Sequence, residues 1–145
     1  MILISHRGNL KGPDSLKENH PDYINLAIKL EYDVEIDVWH KENLFYLGHD
    51  EPQYEVKKEY LKNERLWCHA KNLDALNQLL KIGAHCFWHE NDKATLTSKG
   101  YIWTHPGQQL YEKSICVLPE KTSTHILSCF GVCSDYIINY REETK

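Results

Sequence analysis

The chain has 145 residues, the usual length of one domain, and we expect a single domain over residues 1–145. Apolar residues make up 41% of the chain and aromatic residues 11%, which suffices for a packed core and excludes intrinsic disorder and collagen-like repeats. The 17 basic and 21 acidic side chains give a net charge of −4, so nonspecific nucleic-acid binding has no electrostatic support.

Membrane and export signals are not readable in the sequence. The apolar runs are far shorter than the roughly 20 residues that a membrane-spanning helix needs, and the first residues lack the charged segment of a signal peptide. The five cysteines are odd in number and irregularly spaced, as expected of reduced core residues. We therefore expect a cytoplasmic protein without stable membrane insertion.

The first part of the chain alternates strand and helix patterns. Residues 2–4 form an apolar run that predicts a buried strand. Apolar residues at helical spacing predict a helix from about Pro21 to Leu30. Alternation over residues 34–38, turn residues at 41–43 and a second apolar run at 44–47 predict a strand with a hairpin return.

Shorter patterns of the same kind continue along the chain. Residues 66–68 predict a strand and Leu73 to Ile82 a helix that Gly83 ends. Ionisable residues follow most of the predicted strands, and polar groups at the carboxyl ends of parallel strands mark the active face of a TIM-type barrel. We therefore expect an α/β fold, a compact or incomplete TIM-type (β/α) barrel with reduced peripheral helices, since a full barrel takes about 250 residues.

The first predicted strands carry residues suited to acid–base and metal chemistry. Glu35 and Asp37 are two apart, so both carboxylates point to one face of a strand, within reach of one divalent ion. An exposed strand with alternating polar residues is the alternative. His6 and Arg7 offer a proton carrier and a bidentate phosphate donor, and His49 adds a second imidazole. Two histidines beside a metal suit general acid and base catalysis near neutral pH.

Four short motifs occur in order within the first 50 residues, namely His6-Arg7-Gly8, Glu18-Asn19, Glu35-x-Asp37 and His49-Asp50. Their order and spacing resemble the glycerophosphodiester phosphodiesterase family. The resemblance extends to Lys71, and Ser134-Asp135 is similar to the Thr-Asp of the family's last strand. It implies a TIM-type barrel, one divalent metal ion, and hydrolysis of a small soluble glycerophosphodiester in lipid metabolism.

The resemblance also implies a role for each motif residue. These roles are metal ligation by Glu35 and Asp37, acid and base catalysis by His6 and His49, phosphate binding by Arg7 and Lys71, and support of the metal and histidine geometry by Glu18, with Asp50 beside His49 as a further supporting residue.

One position departs from the family pattern. Where the family has Glu-x-Lys on the third strand, this chain has His69-Ala70-Lys71. An imidazole still ligates metal, but it removes one negative charge, which shifts the preference from Mg²⁺ or Ca²⁺ towards Mn²⁺ or Zn²⁺. We expect His69 to be the third ligand and leave the identity of the ion open.

Further ionisable residues stand at later strand ends and are candidates for the substrate pocket, with simple exposure in loops as the alternative. They are His89, Glu90, His105 and Glu120.

Two other functions fit the same residues. A reduced barrel that binds a phosphorylated ligand without turnover is favoured by His69 and by the short chain, and a lyase would stop at the cyclic phosphate. Two histidines retained together with two carboxylates favour the hydrolase. A shortened barrel leaves strand surfaces uncovered, so we expect a homodimer that buries them.

Overall fold

A computed structural model describes residues 1–122, 126 and 128–143, the side chains of residues 142 and 143 excepted. The chain forms a ten-stranded mixed sheet that curls around an inner face. The strands are β1 (Ile2–His6), β2 (Asp33–Lys41), β3 (Leu44–Leu47), β4 (Tyr54–Val56), β5 (Leu66–Ala70), β6 (Cys86–Phe87), β7 (Ala94–Leu96), β8 (Ile102–Thr104), β9 (Ser114–Val117) and β10 (Gly131–Ser134). The helices are α1 (Pro21–Lys29), α2 (Lys58–Leu61), α3 (Leu73–Lys81) and α4 (Tyr140–Glu143), with 3-10 turns at Pro119–Lys121 and Ile137–Asn139.

The centre of the sheet is parallel, in the order β6, β5, β2, β1, β10, β9 and β8. Antiparallel pairing occurs between β2 and β3, between β3 and β4, and between β7 and β8. Strand β1 therefore lies between β2 and β10, and the carboxyl ends of the parallel strands meet at one edge of the curled sheet.

The predicted TIM-type barrel is wrong. A TIM barrel has a helix after every strand, whereas only α1 and α3, of nine residues each, are longer than about one turn in the described ranges. The connection between β6 and β8 contains the antiparallel strand β7 instead of a helix, and residues 105–113 are too few for a crossover helix with its loops. The fold is a sheet-rich half-barrel with helices over part of its outer surface.

The two longer helices begin and end where local chemistry predicts. The His20 ring accepts a hydrogen bond from the Asp22 N–H (3.1 Å) at the start of α1, and Pro21 occupies the first helical turn. The Asn72 side chain accepts from the Ala75 N–H (2.9 Å) at the start of α3. Gly83, at φ 72°, follows that helix in a left-handed conformation that favours glycine.

The sheet buries both of its faces. Val34, Ile36 and Val38 of β2 belong to an outer core that also contains residues of α1 and α3. The alternate residues of the same strands point inward, over an aromatic-rich group that we term the inner cluster. The inner cluster consists of Ile4, Trp67, Phe87, Trp103, Ile115, Val117, Leu118 and Cys133.

Two sequence expectations concern the core and the membrane. All five cysteines are free, and only Cys129 is not buried. Across residues 1–122, 126 and 128–143, no helix combines the length and apolar character required to cross a bilayer.

Candidate metal and phosphate site

The carboxyl edge of the parallel strands brings most of the predicted site residues together. His6 ends β1, and Glu35 and Asp37 lie on β2. His69 lies level with Asp37 on the neighbouring strand β5, and Asp135 directly follows β10. A cavity of about 860 Å³ opens over this edge.

Glu35, Asp37 and His69 form a buried trio whose geometry suits a metal ion. Each offers one ligand atom, and these atoms lie within 4.8 Å of one another. His69 Nδ1 is 3.3 Å from Asp37 Oδ1 and 3.8 Å from Glu35 Oε1. No other group of this kind occurs in the part of the chain that the structure describes.

Two oxygens of the trio provide a test of whether a cation fits. Glu35 Oε2 and Asp37 Oδ1 are both buried, and neither has a hydrogen-bond partner within the described residues. Unpartnered buried carboxylate oxygens are costly, and a divalent ion would compensate both at once. Two carboxylates with one imidazole are donors that Mn²⁺ and Zn²⁺ accept more readily than Ca²⁺ does. The residues therefore fit a single divalent ion.

The second oxygen of Asp37 is held by charged and amide groups. Arg7 Nε lies 3.0 Å from Asp37 Oδ2, and Asn19 Nδ2 donates to the same oxygen (2.9 Å). Asn19 Oδ1 in turn accepts from the Asp37 N–H (2.9 Å). Burial alone would raise the pKa of Asp37, but His69, Arg7 and Asn19 together hold the pKa below its usual value. Asp37 is therefore a fixed negative charge at neutral pH.

The pKa of Glu35 is shifted in the opposite direction to that of Asp37. Burial and the adjacent Asp37 charge raise the pKa of Glu35, against smaller opposing effects of His6 and Arg7. A cation bound at the trio would favour the ionised form of Glu35.

His6 is oriented by a buried carboxylate. Its Nδ1 lies 2.7 Å from Asp135 Oδ1, which also accepts from Asn9 Nδ2 (2.8 Å). Burial would raise the pKa of Asp135, but the His6 hydrogen bond lowers it, so Asp135 is ionised and can only accept. The proton therefore resides on Nδ1, and Nε2 is oriented towards Glu35, 3.7 Å from Oε2. Burial would lower the pKa of His6, but Asp135 and Glu35 raise it overall.

The phosphate-binding candidates line the same cavity. Lys71 Nζ is 4.0 Å from Asp37 Oδ1, and Lys71 and Arg7 both line the cavity. Arg7 has a left-handed backbone (φ 57°), and its N–H donates to the Glu35 carbonyl (2.9 Å). The next residue, Gly8 (φ 93°), has no room for a side chain, because a Cβ would lie 2.7 Å from Tyr23 Cδ1. The loop conformation thus directs the guanidinium into the site.

His49 occupies a different environment from His6. It follows β3 on an exposed loop, lines the cavity, and its Nδ1 is 2.8 Å from the exposed Asp50 Oδ1. Glu18 also lines the cavity; its carboxylate accepts from Asn9 (3.0 Å) and lies 3.9 Å from Arg7. These residues form the mouth of the site.

The later strand ends contribute unequally. His89 and His105 line the cavity, and the exposed Glu90 lies at its rim. Burial and the two neighbouring histidines lower the pKa of His89 to about 4. Glu120 is not among the lining residues. Its carboxylate instead accepts from Ser134 Oγ (3.0 Å) and the Asp135 N–H (3.0 Å), which holds the segment after β10.

Several residues of the site received no role from the sequence. Asp135 and Asn19 occur in the motifs described above, but the resemblance assigned no role to either of them. Asn9 is fully buried and joins Glu18 to Asp135, and the Tyr23 hydroxyl donates to its side-chain oxygen (3.1 Å). Nothing in the sequence near Asn9 marks it, because its partner Asp135 lies 126 residues away along the chain.

No protein-family model matches the chain, and neither a curated protein nor a solved structure matches it. The resemblance to glycerophosphodiester phosphodiesterases therefore stays a prediction.

Proposed function

We propose that this chain is a metal-dependent phosphodiesterase that hydrolyses a small glycerophosphodiester. The observation that supports the proposal is the presence, over one cavity, of a buried trio that could hold a cation, two cationic side chains and a histidine oriented by a carboxylate. Each of these features has an ordinary structural explanation alone. Together they match the needs of a phosphodiester, which is an anion whose cleavage requires charge stabilisation and two proton transfers.

The phosphate would lie between the trio and the basic side chains. A divalent ion bound by Glu35, Asp37 and His69 would supply Lewis-acid stabilisation of charge on the phosphate and on the attacking hydroxyl. Arg7 would contact a nonbridging phosphate oxygen in the bidentate geometry that guanidinium groups favour. Lys71, directly after strand β5, would add a second positive charge.

The two histidines would exchange protons at their Nε2 atoms. Both have a carboxylate at Nδ1, Asp135 for His6 and Asp50 for His49, which would orient each ring. One histidine would remove the proton of the substrate's own glycerol 2-hydroxyl as that oxygen bonds to phosphorus, and the other would protonate the leaving alcohol, which gives a cyclic phosphate. Water would then open the ring, with the proton transfers reversed, to give glycerol phosphate.

The test is a turnover assay with glycerophosphodiesters and nucleotide-linked analogues, scanned over Mg²⁺, Ca²⁺, Mn²⁺ and Zn²⁺, with phosphorus NMR of the products. We expect metal-dependent release of a glycerol phosphate, while a cyclic phosphate that accumulates would indicate a lyase. Asp37→Asn keeps the shape of the side chain but removes a ligand charge, and it should abolish the metal response. Metal binding without turnover of any substrate would contradict the enzyme and favour a binding module.

A further inference from the structure

We infer that the substrate has two unlike arms, one rich in hydroxyl groups and one that carries a planar ring. This inference rests on the proposed function. It comes from two recesses of different chemistry that share the lining residues Arg7, Glu18 and His49. A phosphate bound at Arg7 would therefore lie where the two recesses meet.

The smaller recess, of about 260 Å³, is lined by polar and charged residues. Besides the three shared residues and Asn19, it is lined by Ser15, Asp50, Glu51 and Gln53. Hydroxyl and amide groups both donate to and accept from an alcohol, and carboxylates accept from its O–H. The carboxylates outnumber the single guanidinium, so the recess disfavours a second anionic group. An uncharged arm with several hydroxyls, such as glycerol, fits this chemistry.

The far side of the larger cavity is a wall of rings. Trp88, His89 and His105 are each partly exposed there. The His89 ring stacks on His69 (centroids 4.2 Å apart, 15° between planes), and His105 meets His89 edge-on at 4.4 Å. This wall therefore begins at the metal trio and continues away from it. Aromatic faces and edges favour contact with another ring over a flexible chain.

The cavity volumes agree with this division. The larger cavity, at about 860 Å³, has room for a ring and the phosphate, whereas the smaller recess holds only a short chain. The two ester oxygens of the phosphate would point to opposite recesses. The substrate class is thus a mixed diester of a short polyol and a ring-bearing alcohol.

Binding of two phosphomonoesters separates the arms without any turnover. Glycerol 3-phosphate and phenyl phosphate would be titrated calorimetrically into the full chain with saturating Mn²⁺. His105→Ala should lower the affinity for phenyl phosphate by about tenfold, because the loss of one aromatic contact is of that size. It should change the affinity for glycerol 3-phosphate by less than about twofold. Gln53→Ala should give the reverse pattern. His105→Phe keeps the ring and should retain the affinity for phenyl phosphate.

The outcomes distinguish this inference from the proposed function. If both ligands bind and lose affinity in Arg7→Ala, but each recess variant affects both ligands equally, the two-arm assignment is wrong and the phosphate site stands. If His105→Phe lowers the affinity for phenyl phosphate as much as His105→Ala does, contact with a ring does not explain that affinity and the assignment again fails. If neither ligand binds the wild-type chain, the phosphate site and the proposed function fail together.

Discussion

The inner face of the curled sheet has two halves that differ in chemistry although β1 and β5 contribute to both. On β1, Ile4 of the inner cluster lies two residues before His6 of the site, and on β5, Trp67 lies two residues before His69 in the same way. The lower half is the apolar inner cluster, and the upper half holds the buried carboxylates and histidines. Because alternate residues of a strand share a face, one strand can carry both halves.

The difference between the halves shows how stability and chemistry are divided. The lower half removes apolar surface from water, and each fully buried large apolar side chain contributes about 1.5–3 kcal/mol. The upper half buries charges, two of whose oxygens lack hydrogen-bond partners in the described structure, which opposes folding. Substitutions in the upper half should therefore affect activity, and substitutions in the lower half should affect stability.

The largest expected effect is on catalysis. His6→Ala removes the candidate acid–base group of the upper half and should lower kcat by about 10²–10⁴-fold. Steady-state kinetics on the preferred diester would measure this, with thermal unfolding as a check that the variant is folded. His49→Ala should show a loss of the same order. Activity that survives either substitution would rule out the two-histidine mechanism.

The matching change in the lower half should reverse the pattern. Ile4→Ala leaves a cavity beneath the site, and we expect the free energy of unfolding to fall by about 2–5 kcal/mol. Ile4→Val is the control and should cost about 0.5–1.5 kcal/mol. Urea unfolding gives both values. If Ile4→Ala had the same free energy of unfolding as wild type, the inner cluster would not be what stabilises the fold beneath the site.

Metal bound by the upper half should increase the stability of the folded chain. At a metal concentration 100 times the Kd, binding should stabilise the wild-type chain by about 2.7 kcal/mol. Glu35→Gln should show little of this gain. Without metal, the variant should be at least as stable as wild type at neutral pH, because the raised pKa of Glu35 means that its charged form opposes folding. Thermal scans with and without Mn²⁺ would measure this, and equal metal responses would contradict the trio.

The smallest effect concerns His85, whose ring lies 4.2 Å from Trp67 of the inner cluster and whose Nε2 is 2.8 Å from Thr97 Oγ1. Burial and the Lys99 charge lower the pKa of His85 to about 4, from an ordinary value of 6.5. The unfolded chain therefore takes up this proton below pH 6.5, where the folded chain does not, and stability falls as the pH falls.

The size of that loss follows from the linkage of protonation to folding. Between pH 7 and pH 5, wild type should lose about 2 kcal/mol more than His85→Gln, which does not titrate. Urea unfolding at the two pH values would measure it. Equal losses would show that His85 is protonated in the folded chain.

Local patterns in the sequence predicted the parts of the fold that depend on local chemistry. The predicted helices match α1 and α3 to within a residue at each end, because the cap, Pro and Gly signals act over one turn. The placement of Glu35 and Asp37 on one face also followed from strand alternation. The burial of that face is seen only in the structure.

The closure of the sheet could not be predicted in this way. Parallel strands suggested a compact or incomplete TIM-type barrel with reduced peripheral helices, whereas the sheet curls into a half-barrel with antiparallel pairs where connections are short. The Asn9 and Asp135 contact joins residues 126 apart, and no local pattern encodes such a pairing. The homodimer expected from uncovered strands stays a prediction, and light scattering that finds a monomer at micromolar concentration would contradict it.

The position of β1 has a consequence for biosynthesis. Among the ten described strands it is synthesised first, yet one of its two neighbours, β10, is synthesised last. At about 5–20 residues per second, β1 has an open edge for on the order of ten seconds, and His6 lacks Asp135 for as long. An open strand edge is a template for pairing with other chains. The edge of β1 is therefore where a nascent chain would meet a chaperone or a second nascent copy.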